Sequence, residues 1–175
     1  MSTLEQYRQM HQQGHFSGHS TAKWMPVVSR LCAEFAPETL LDYGSGKGKQ
    51  WNTLASQWMV PLPLLYDPSV PGIDRFPSPE GVKFDGVLCL DVLEHLEDVE
   101  LDECIRNCLQ RANKFVFFGI STRLAKKSLP DGRNCHLTVK PLEWWKAKIG
   151  ELQWDLFNGG EPPKHIEVMD EDFLA

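Results

Sequence analysis

Three glycines alternate at positions 44, 46 and 48, directly after a short apolar run that ends in Asp42. Glycine accepts a positive φ and has no Cβ, so a ligand can lie against the backbone of such a turn. Helix-compatible residues follow, and the free N–H groups at a helix start would face the same ligand. An acid at Asp42 suits a cationic group of that ligand and would repel a pyrophosphate. The stretch therefore predicts a strand, a tight ligand-binding turn and a helix start.

Two other kinds of glycine-rich turn have a different spacing. A P-loop has four residues between its glycines and then Lys and Ser or Thr, but here Tyr43 stands where the first glycine before Gly48 and Lys49 would have to be. A dinucleotide site has Gly-x-Gly-x-x-Gly, which this sequence lacks. A nicotinamide-dependent oxidoreductase, suggested by the first two glycines and by Asp67 downstream, is therefore a weaker alternative. A turn with only a structural role is the remaining one.

Two more acids end apolar runs. Asp67 ends the next apolar run, at 62–66. At this position doubly wound folds place a carboxylate that accepts hydrogen bonds from both ribose hydroxyls. Its alternative role is to form a turn before Pro68. Asp91 ends the continuous apolar run at 87–90, which suits a strand buried on both faces. It opens the segment Asp-Val-Leu-Glu-His at 91–95.

Together these segments resemble the class I S-adenosylmethionine-dependent methyltransferases over most of residues 39–169. The pattern apolar-apolar-Asp-x-Gly-x-Gly-x-Gly is similar to that family's first motif, and Phe-Asp followed by Asp-Val-Leu-Glu-His is similar to its fourth. The resemblance implies that S-adenosylmethionine is the cofactor and S-adenosylhomocysteine the product. It places the methionine part at Asp42 and the glycine turn, the ribose at Asp67, and the sulfur near Leu90 and Asp91. The predicted cofactor-binding residues are Asp42, Tyr43, Gly44, Ser45, Gly46, Gly48, Asp67, Leu90, Asp91 and Val92.

The fold implied is α/β: a doubly wound three-layer sandwich whose mostly parallel sheet ends in an antiparallel C-terminal hairpin. That hairpin is expected near residues 152–157 and 166–169, around the Gly159-Gly160 turn. The stretch 68–81 is rich in proline and glycine, and it is too short for the helix and third strand that the family normally has there. The sheet is therefore predicted to be trimmed at its third strand.

Residues 1–36 show helical spacing of apolar side chains, interrupted at 14–20 by two glycines, two histidines and an aromatic residue. They are interpreted as an N-terminal helical lid segment, and residues 37–175 as the cofactor-binding methyltransferase domain. The alternative is a plain helix–helix connection whose histidines are solvated. His15 and His19 of this segment are predicted to contact the substrate.

Histidine is the predicted general base, because an imidazole accepts a proton near neutral pH. His136 and His95 are the predicted catalytic residues, although a structural role for His95 and local backbone capping by His136 are the alternatives. His136 lies in a long polar loop beside Arg133 and Asn134. These two neighbours are predicted to grip a polar or anionic substrate.

The composition limits the partners. The 175 residues carry a formal net charge of −6, which argues against a phosphate backbone, and duplex DNA in particular, as the main ligand. Five cysteines without a C-x-x-C pair or zinc spacing predict reduced thiols, a cytoplasmic location and no metal ligands. No apolar run approaches a membrane span, so no membrane partner is expected.

Two sequence patterns typical of DNA methylation are missing after the fourth strand. These are the Asn/Asp-Pro-Pro-aromatic motif of amino-methylating enzymes and the Pro-Cys nucleophile of cytosine C5 enzymes. The predicted function is therefore methyl transfer to oxygen or nitrogen of a small polar or anionic acceptor. A catalytically idle partner subunit that keeps the cofactor site is the alternative from a different class.

Overall fold

A computed structural model describes residues 1–16, 20–76 and 81–174. After two N-terminal helices, strands and helices alternate along the described chain, except that the second strand is followed by the third. The elements are α1 (Thr3–Gln12), α2 (Thr21–Phe35), β1 (Leu40–Tyr43), α3 (Trp51–Trp58), β2 (Leu64–Tyr66), β3 (Phe84–Leu90), α4 (Asp98–Gln110), β4 (Ala112–Ile120), α5 (Leu142–Phe157) and β5 (His165–Asp170). Short 3₁₀ turns cover Leu93–His95 and Glu171–Leu174.

The strands form one parallel sheet in the order β2-β1-β3-β4-β5. Its apolar residues face both ways, because helices cover both sides. On one side α4 and α5 bury Cys104, Ile105 and Trp145 against the sheet. On the other side α2 and α3 bury Trp24 and Trp51. The predicted doubly wound, three-layer α/β fold is confirmed.

The predicted antiparallel hairpin is wrong. Residues 152–157 form the last turns of α5, and β5 runs parallel to β4, with Phe117 opposite Glu167. The cause is visible in the sequence, since Trp145, Ile149 and Leu152 recur at helical spacing and are all buried. A helix of this length is also the usual connection between parallel neighbours.

The trimming of the sheet at its third strand is confirmed for the residues that the structure describes. Between β2 and β3, the stretches 67–76 and 81–83 contain neither a strand nor a helix. The strand β2 is therefore the sheet edge on that side.

The N-terminal helices occupy different positions. Helix α2 belongs to a layer of the sandwich, because its Trp24, Met25 and Val28 are fully buried in the core. Helix α1 instead lies over the carboxyl edge of the sheet, where Arg8 donates a hydrogen bond to the carbonyl of Pro68 at 3.0 Å. The predicted lid thus concerns α1 and the residues after it, of which 17–19 lie outside the described ranges. None of the described helices has the length and apolar content needed to cross a bilayer.

Candidate active site

A cleft of about 960 Å³ opens at the carboxyl edge of the parallel sheet. Its walls come from the loops that follow β1, β2, β3 and β4, with α1 and the start of α2 on the open side. Open α/β sheets bind their ligands at this edge, because the strand ends and the loops after them converge there. Its size matches that of cavities that enclose small molecules.

The glycine turn forms one end of the cleft. Gly44, Gly46 and Gly48 have φ values of 80°, 55° and 56°, a region that side chains other than glycine enter at a cost. The amides of Gly44 and Ser45 donate to the carbonyl of Tyr66 at 2.7 and 3.1 Å, which ties the turn to the end of β2. The predicted strand–turn–helix is confirmed, with α3 beginning at Trp51.

Asp42 lies under this turn and lines the cleft. Its side chain is buried, and its Oδ2 accepts a hydrogen bond of 2.6 Å from the Trp51 indole. Burial raises the pKa of Asp42 to about 7, although the Trp51 hydrogen bond works in the opposite direction. No lysine or arginine of the described residues forms an ion pair with it. A cationic ligand group would supply the missing countercharge.

Asp67 lies beside Asp42, at the end of β2, and is 7% exposed. Its Oδ2 accepts a hydrogen bond of 2.8 Å from the Gly46 amide. Its Oδ1 accepts two more, from the Ser69 amide at 2.8 Å and the Ser69 hydroxyl at 2.5 Å. A carboxylate has room for about four donors in all, so Asp67 can still accept from a ligand in the cleft.

Asp91 begins the opposite wall in a strained conformation. Its φ is +55°, and its amide donates to the carbonyl of Gly119 at 2.7 Å. Lys23 forms a 2.9 Å ion pair with its carboxylate, and the Trp24 indole donates to the other oxygen at 3.2 Å. Burial raises the pKa of Asp91, and Lys23 opposes that shift. Such strain persists only where surrounding contacts hold it, and it concentrates at functional sites.

Beyond Asp91, a cluster of three titratable side chains faces the cleft: Glu94, His95 and His136. The two imidazole rings lie 4.8 Å apart and almost perpendicular, at 87°. Burial raises the pKa of Glu94 to about 8 and lowers the pKa of His95 to about 4. Both shifts favour the uncharged forms of these side chains.

Hydrogen bonds define the tautomer of each histidine. His95 Nδ1 lies 2.9 Å from the carbonyl of Cys135, and His136 Nδ1 lies close to the carbonyl of Arg123. A carbonyl oxygen only accepts, so both Nδ1 atoms carry a proton, and in the neutral form of each ring Nε2 has the lone pair. Tyr7 of α1 donates to the same Cys135 carbonyl at 2.6 Å and also contacts His95 Nδ1 at 3.1 Å.

Most of the predicted cofactor residues line the cleft, but two do not. The ring of Tyr43 packs edge-to-face against that of Tyr66, with ring centroids 4.9 Å apart, and lies against the core. Gly48 is required by packing instead, because a Cβ there would collide with Leu65. The other predicted positions, Asp42, Gly44, Ser45, Gly46, Asp67, Leu90, Asp91 and Val92, do line it.

Of the predicted substrate residues that the structure describes, Arg133, Asn134 and His15 do not line the cleft, whereas the predicted catalytic residue His136 does. Arg133 bonds Asp131, Glu97 and Thr3, which ties the loop after β4 to α1. Asn134 instead closes its own loop, since its Oδ1 accepts from two backbone amides of that loop.

His15 is exposed, and its ring lies 3.1 Å from the Gln13 side chain. It is not among the residues that line the cleft in the described part of the chain. His19 lies outside the described residues.

Several residues of the cleft have no local sequence signal. Lys23 and Glu171 form a 2.9 Å ion pair next to Asp91, although they come from opposite ends of the chain. His11 of α1 lies over Gly46, with its Cε1 3.6 Å from the place of a Cβ. Only the helical spacing of Tyr7 and its neighbours could have indicated that α1 packs on something.

Comparison with known families agrees with this geometry. Residues 16–175 match the family model described as a methyltransferase domain, and the chain belongs to that family. The resemblance inferred from the glycine turn and the segment at 91–95 is thereby confirmed. No curated protein and no solved structure matches the chain.

Proposed function

We propose that the protein transfers a methyl group from S-adenosylmethionine to oxygen or nitrogen of a small polar or anionic acceptor. The family generally uses this cofactor. The observation that supports the proposal best is the single cleft that holds both halves of such a reaction. One end presents Asp42, Asp67 and the glycine turn, and the other presents Glu94 and two imidazoles.

The first end suits the charge pattern of the cofactor. S-adenosylmethionine carries an ammonium group, and the buried carboxylate of Asp42 lacks a cationic partner among the described residues. The ribose offers two hydroxyl donors, and Asp67 has room for one of them beside the three hydrogen bonds that it already accepts. Gly46 leaves the backbone open beside these two acids. A Cβ there would meet only His11, at 3.6 Å.

The second end suits an acceptor that loses a proton. A sulfonium has a neutral leaving group, so methyl transfer mainly requires a nucleophile aligned with the methyl carbon and free of its proton. His95 and His136 each use Nδ1 to bond a backbone carbonyl, which leaves Nε2 as the nitrogen that could accept a proton. The pKa of His95 lies at about 4, which makes it a weak base. His136, whose ring lies 4.8 Å from that of His95, is the other candidate base.

The mouth of the cleft carries positive charge. Arg123, Lys126 and Lys127 line it, although Arg123 is paired with Glu171 and Asp172. Lys126 forms no ion pair with any described residue. Its charge is therefore available to an anionic group of the acceptor.

Asp67→Asn is expected to weaken S-adenosylmethionine binding by a factor of at least about ten, which corresponds to one lost hydrogen bond to a charged group. Titration calorimetry with S-adenosylmethionine and S-adenosylhomocysteine measures this. Asp74→Asn is the matched control, because that exposed acid follows the same strand and does not line the cleft. Binding of neither cofactor by the folded wild-type protein would contradict the proposed function.

Arg133→Ala is expected to lower the melting temperature slightly and to leave cofactor affinity and methyl transfer unchanged. The reason is that the Arg133 guanidinium is already bonded to Asp131, Glu97 and Thr3 at the surface. Lys126→Ala serves as the comparison, since Lys126 lines the cleft. Thermal melting and transfer of labelled methyl groups measure the two effects, and a loss of transfer in Arg133→Ala alone would restore its predicted substrate contact.

A further inference from the structure

We propose that Glu94, His95 and His136 bind a divalent first-row transition metal ion in the wall of the cleft. One donor atom from each side chain lies within 4.8 Å of the others. Ligand atoms in a formed site lie roughly 3 Å apart, because the metal–ligand bonds are about 2.0–2.2 Å long. Small side-chain rotations close that difference.

The two histidines are prepared as ligands. Metal-binding histidines usually donate their second ring N–H to a backbone carbonyl or a carboxylate, which fixes the ring and directs the other nitrogen at the metal. His95 donates through Nδ1 to Cys135, and His136 donates through Nδ1 to Arg123. Tyr7 adds a second contact to His95 Nδ1. Nε2 of each neutral ring is therefore the nitrogen that a metal would bind.

The buried side chain of Glu94 has an oxygen atom that could bind a cation. Its side chain has no exposed surface, and its Oε1 accepts a hydrogen bond of 3.0 Å from the Ser121 amide. Its Oε2 is buried without any hydrogen-bond partner. No lysine or arginine among the described residues forms an ion pair with Glu94. A buried polar atom without a partner is costly, so the Oε2 atom of Glu94, beside two imidazoles, would gain from binding a metal ion.

The donor set selects the type of metal. Two imidazoles and one carboxylate suit zinc, iron, cobalt or nickel, whereas magnesium and calcium prefer oxygen ligands alone. All three residues line the cleft, so the remaining coordination positions face the space for the acceptor. A second cluster, Cys89, Cys104 and Cys108, is fully buried in the core and competes for soft metals in any binding experiment.

The site deepens the proposed function and rests on it for its role. A metal here would bind a hydroxyl oxygen of the acceptor and lower the pKa of that hydroxyl, so that its proton leaves to solvent. The oxygen then forms a bond to the methyl carbon while the carbon–sulfur bond breaks, which leaves S-adenosylhomocysteine. The imidazoles would hold the metal and would not take the proton. The acceptor class is then a metal-binding hydroxyl compound.

The test is a titration of chelator-treated protein with Co²⁺, followed by calorimetry and by the visible absorption of the bound ion. One strongly bound Co²⁺ is expected. His136→Ala and Glu94→Gln should each weaken it by at least about a hundredfold, since even the loss of a hydrogen bond to a ligand costs roughly 10–100-fold. Tyr7→Phe should weaken Co²⁺ binding by that smaller factor, roughly 10–100-fold. His15→Ala, which removes an exposed histidine outside the cleft, should change nothing.

Either of two results would overturn the site: no Co²⁺ binding, or binding that His136→Ala leaves intact. The second result would place the metal at the cysteine cluster, which Cys104→Ser would then abolish. The titration contains no S-adenosylmethionine, and cofactor binding is measured separately in EDTA. Failure of the metal site and failure of the proposed function are therefore distinguishable.

Discussion

Asp42→Asn is expected to raise the stability of the cofactor-free protein at pH 8 while weakening its binding of S-adenosylmethionine. Asparagine has the same shape and can still accept the hydrogen bond that Trp51 donates at 2.6 Å. It removes a buried negative charge that has no cationic partner among the described residues. The same substitution removes the charge proposed to attract the ammonium group of the cofactor. Stability and binding should thus change in opposite directions.

The pH dependence follows from the pKa of Asp42, which is raised from 3.8 to about 7 by burial. Between these two values the folded protein binds the proton more tightly than the unfolded chain does. Stability therefore falls as the pH rises through that window, and the loss is complete above pH 7. A shift of this size corresponds to a few kcal/mol, at about 1.4 kcal/mol per pKa unit. Asparagine avoids the loss, because it does not titrate.

Thermal melting without ligand at pH 4 and pH 8 measures the difference. The variant should melt several degrees above the wild type at pH 8, at roughly 2–4 °C per kcal/mol for a domain of this size, and close to it at pH 4. Asp74→Asn should show no such pH-dependent gain, because Asp74 is exposed. Equal melting of Asp42→Asn and wild type at pH 8 would mean that Asp42 carries no buried charge.

A destabilising acid that lines a cleft is a sign of function. Proteins retain such groups where binding or catalysis requires them, and removing them often gains stability. The sequence alone singles out Asp42 as a candidate binding residue, because it stands directly before the glycine turn. Its burial and its Trp51 partner depend on α3 folding back over β1. Local spacing does not show that.

The order of the sheet and helix layers is also largely predictable from the apolar pattern of the sequence. Strands β3 and β4 contain continuous apolar runs at 87–90 and 115–118, and such runs indicate strands covered on both faces. The error lies at α5, where the pair Gly159-Gly160 suggested a hairpin although Trp145, Ile149 and Leu152 repeat at helical spacing. The helical repeat is the stronger signal, since burial of that face holds α5 on the sheet.

The acceptor end of the cleft is less predictable, because it depends on contacts between distant residues. The sequence indicates His95 and His136 as candidate general bases. Which ring nitrogen carries the proton depends on the carbonyls of Cys135 and Arg123, which the sequence does not place. Lys23 meets Asp91 only because α2 packs across β4, where Gly119 leaves room for the Trp24 ring. No spacing rule finds the proposed metal-ligand set, because its residues are divided between two loops.

Alanine substitutions at Gly44 and Gly46 are expected to damage the protein in different ways. Both glycines have positive φ, 80° and 55°, so each alanine costs about 1–2 kcal/mol of backbone strain. A Cβ at Gly44 would also collide with both methyl groups of Val92, beside the strained Asp91. Overpacking of this kind adds about 1–3 kcal/mol. Gly44→Ala should therefore lower the free energy of unfolding by about 2–5 kcal/mol.

Gly46→Ala should affect binding more than stability. The nearest atom to a Cβ at Gly46 is His11 Cε1 at 3.6 Å, which is an ordinary contact, and the position lines the cleft. The added methyl group would stand where the cofactor is proposed to lie against the backbone. We expect the loss in unfolding free energy to stay near the strain alone, about 1–2 kcal/mol, while S-adenosylmethionine affinity falls by more than about tenfold.

Urea unfolding of the cofactor-free variants and titration calorimetry separate these two effects. Gly132→Ala is the reference for strain alone, since its φ is +89° and a Cβ there meets nothing within 4 Å. If Gly44→Ala loses no more stability than Gly132→Ala, then the expected collision between the added Cβ and Val92 does not occur. If Gly46→Ala binds S-adenosylmethionine like the wild type, then the cofactor does not lie against this backbone, and the ligand of the turn must be sought elsewhere in the cleft.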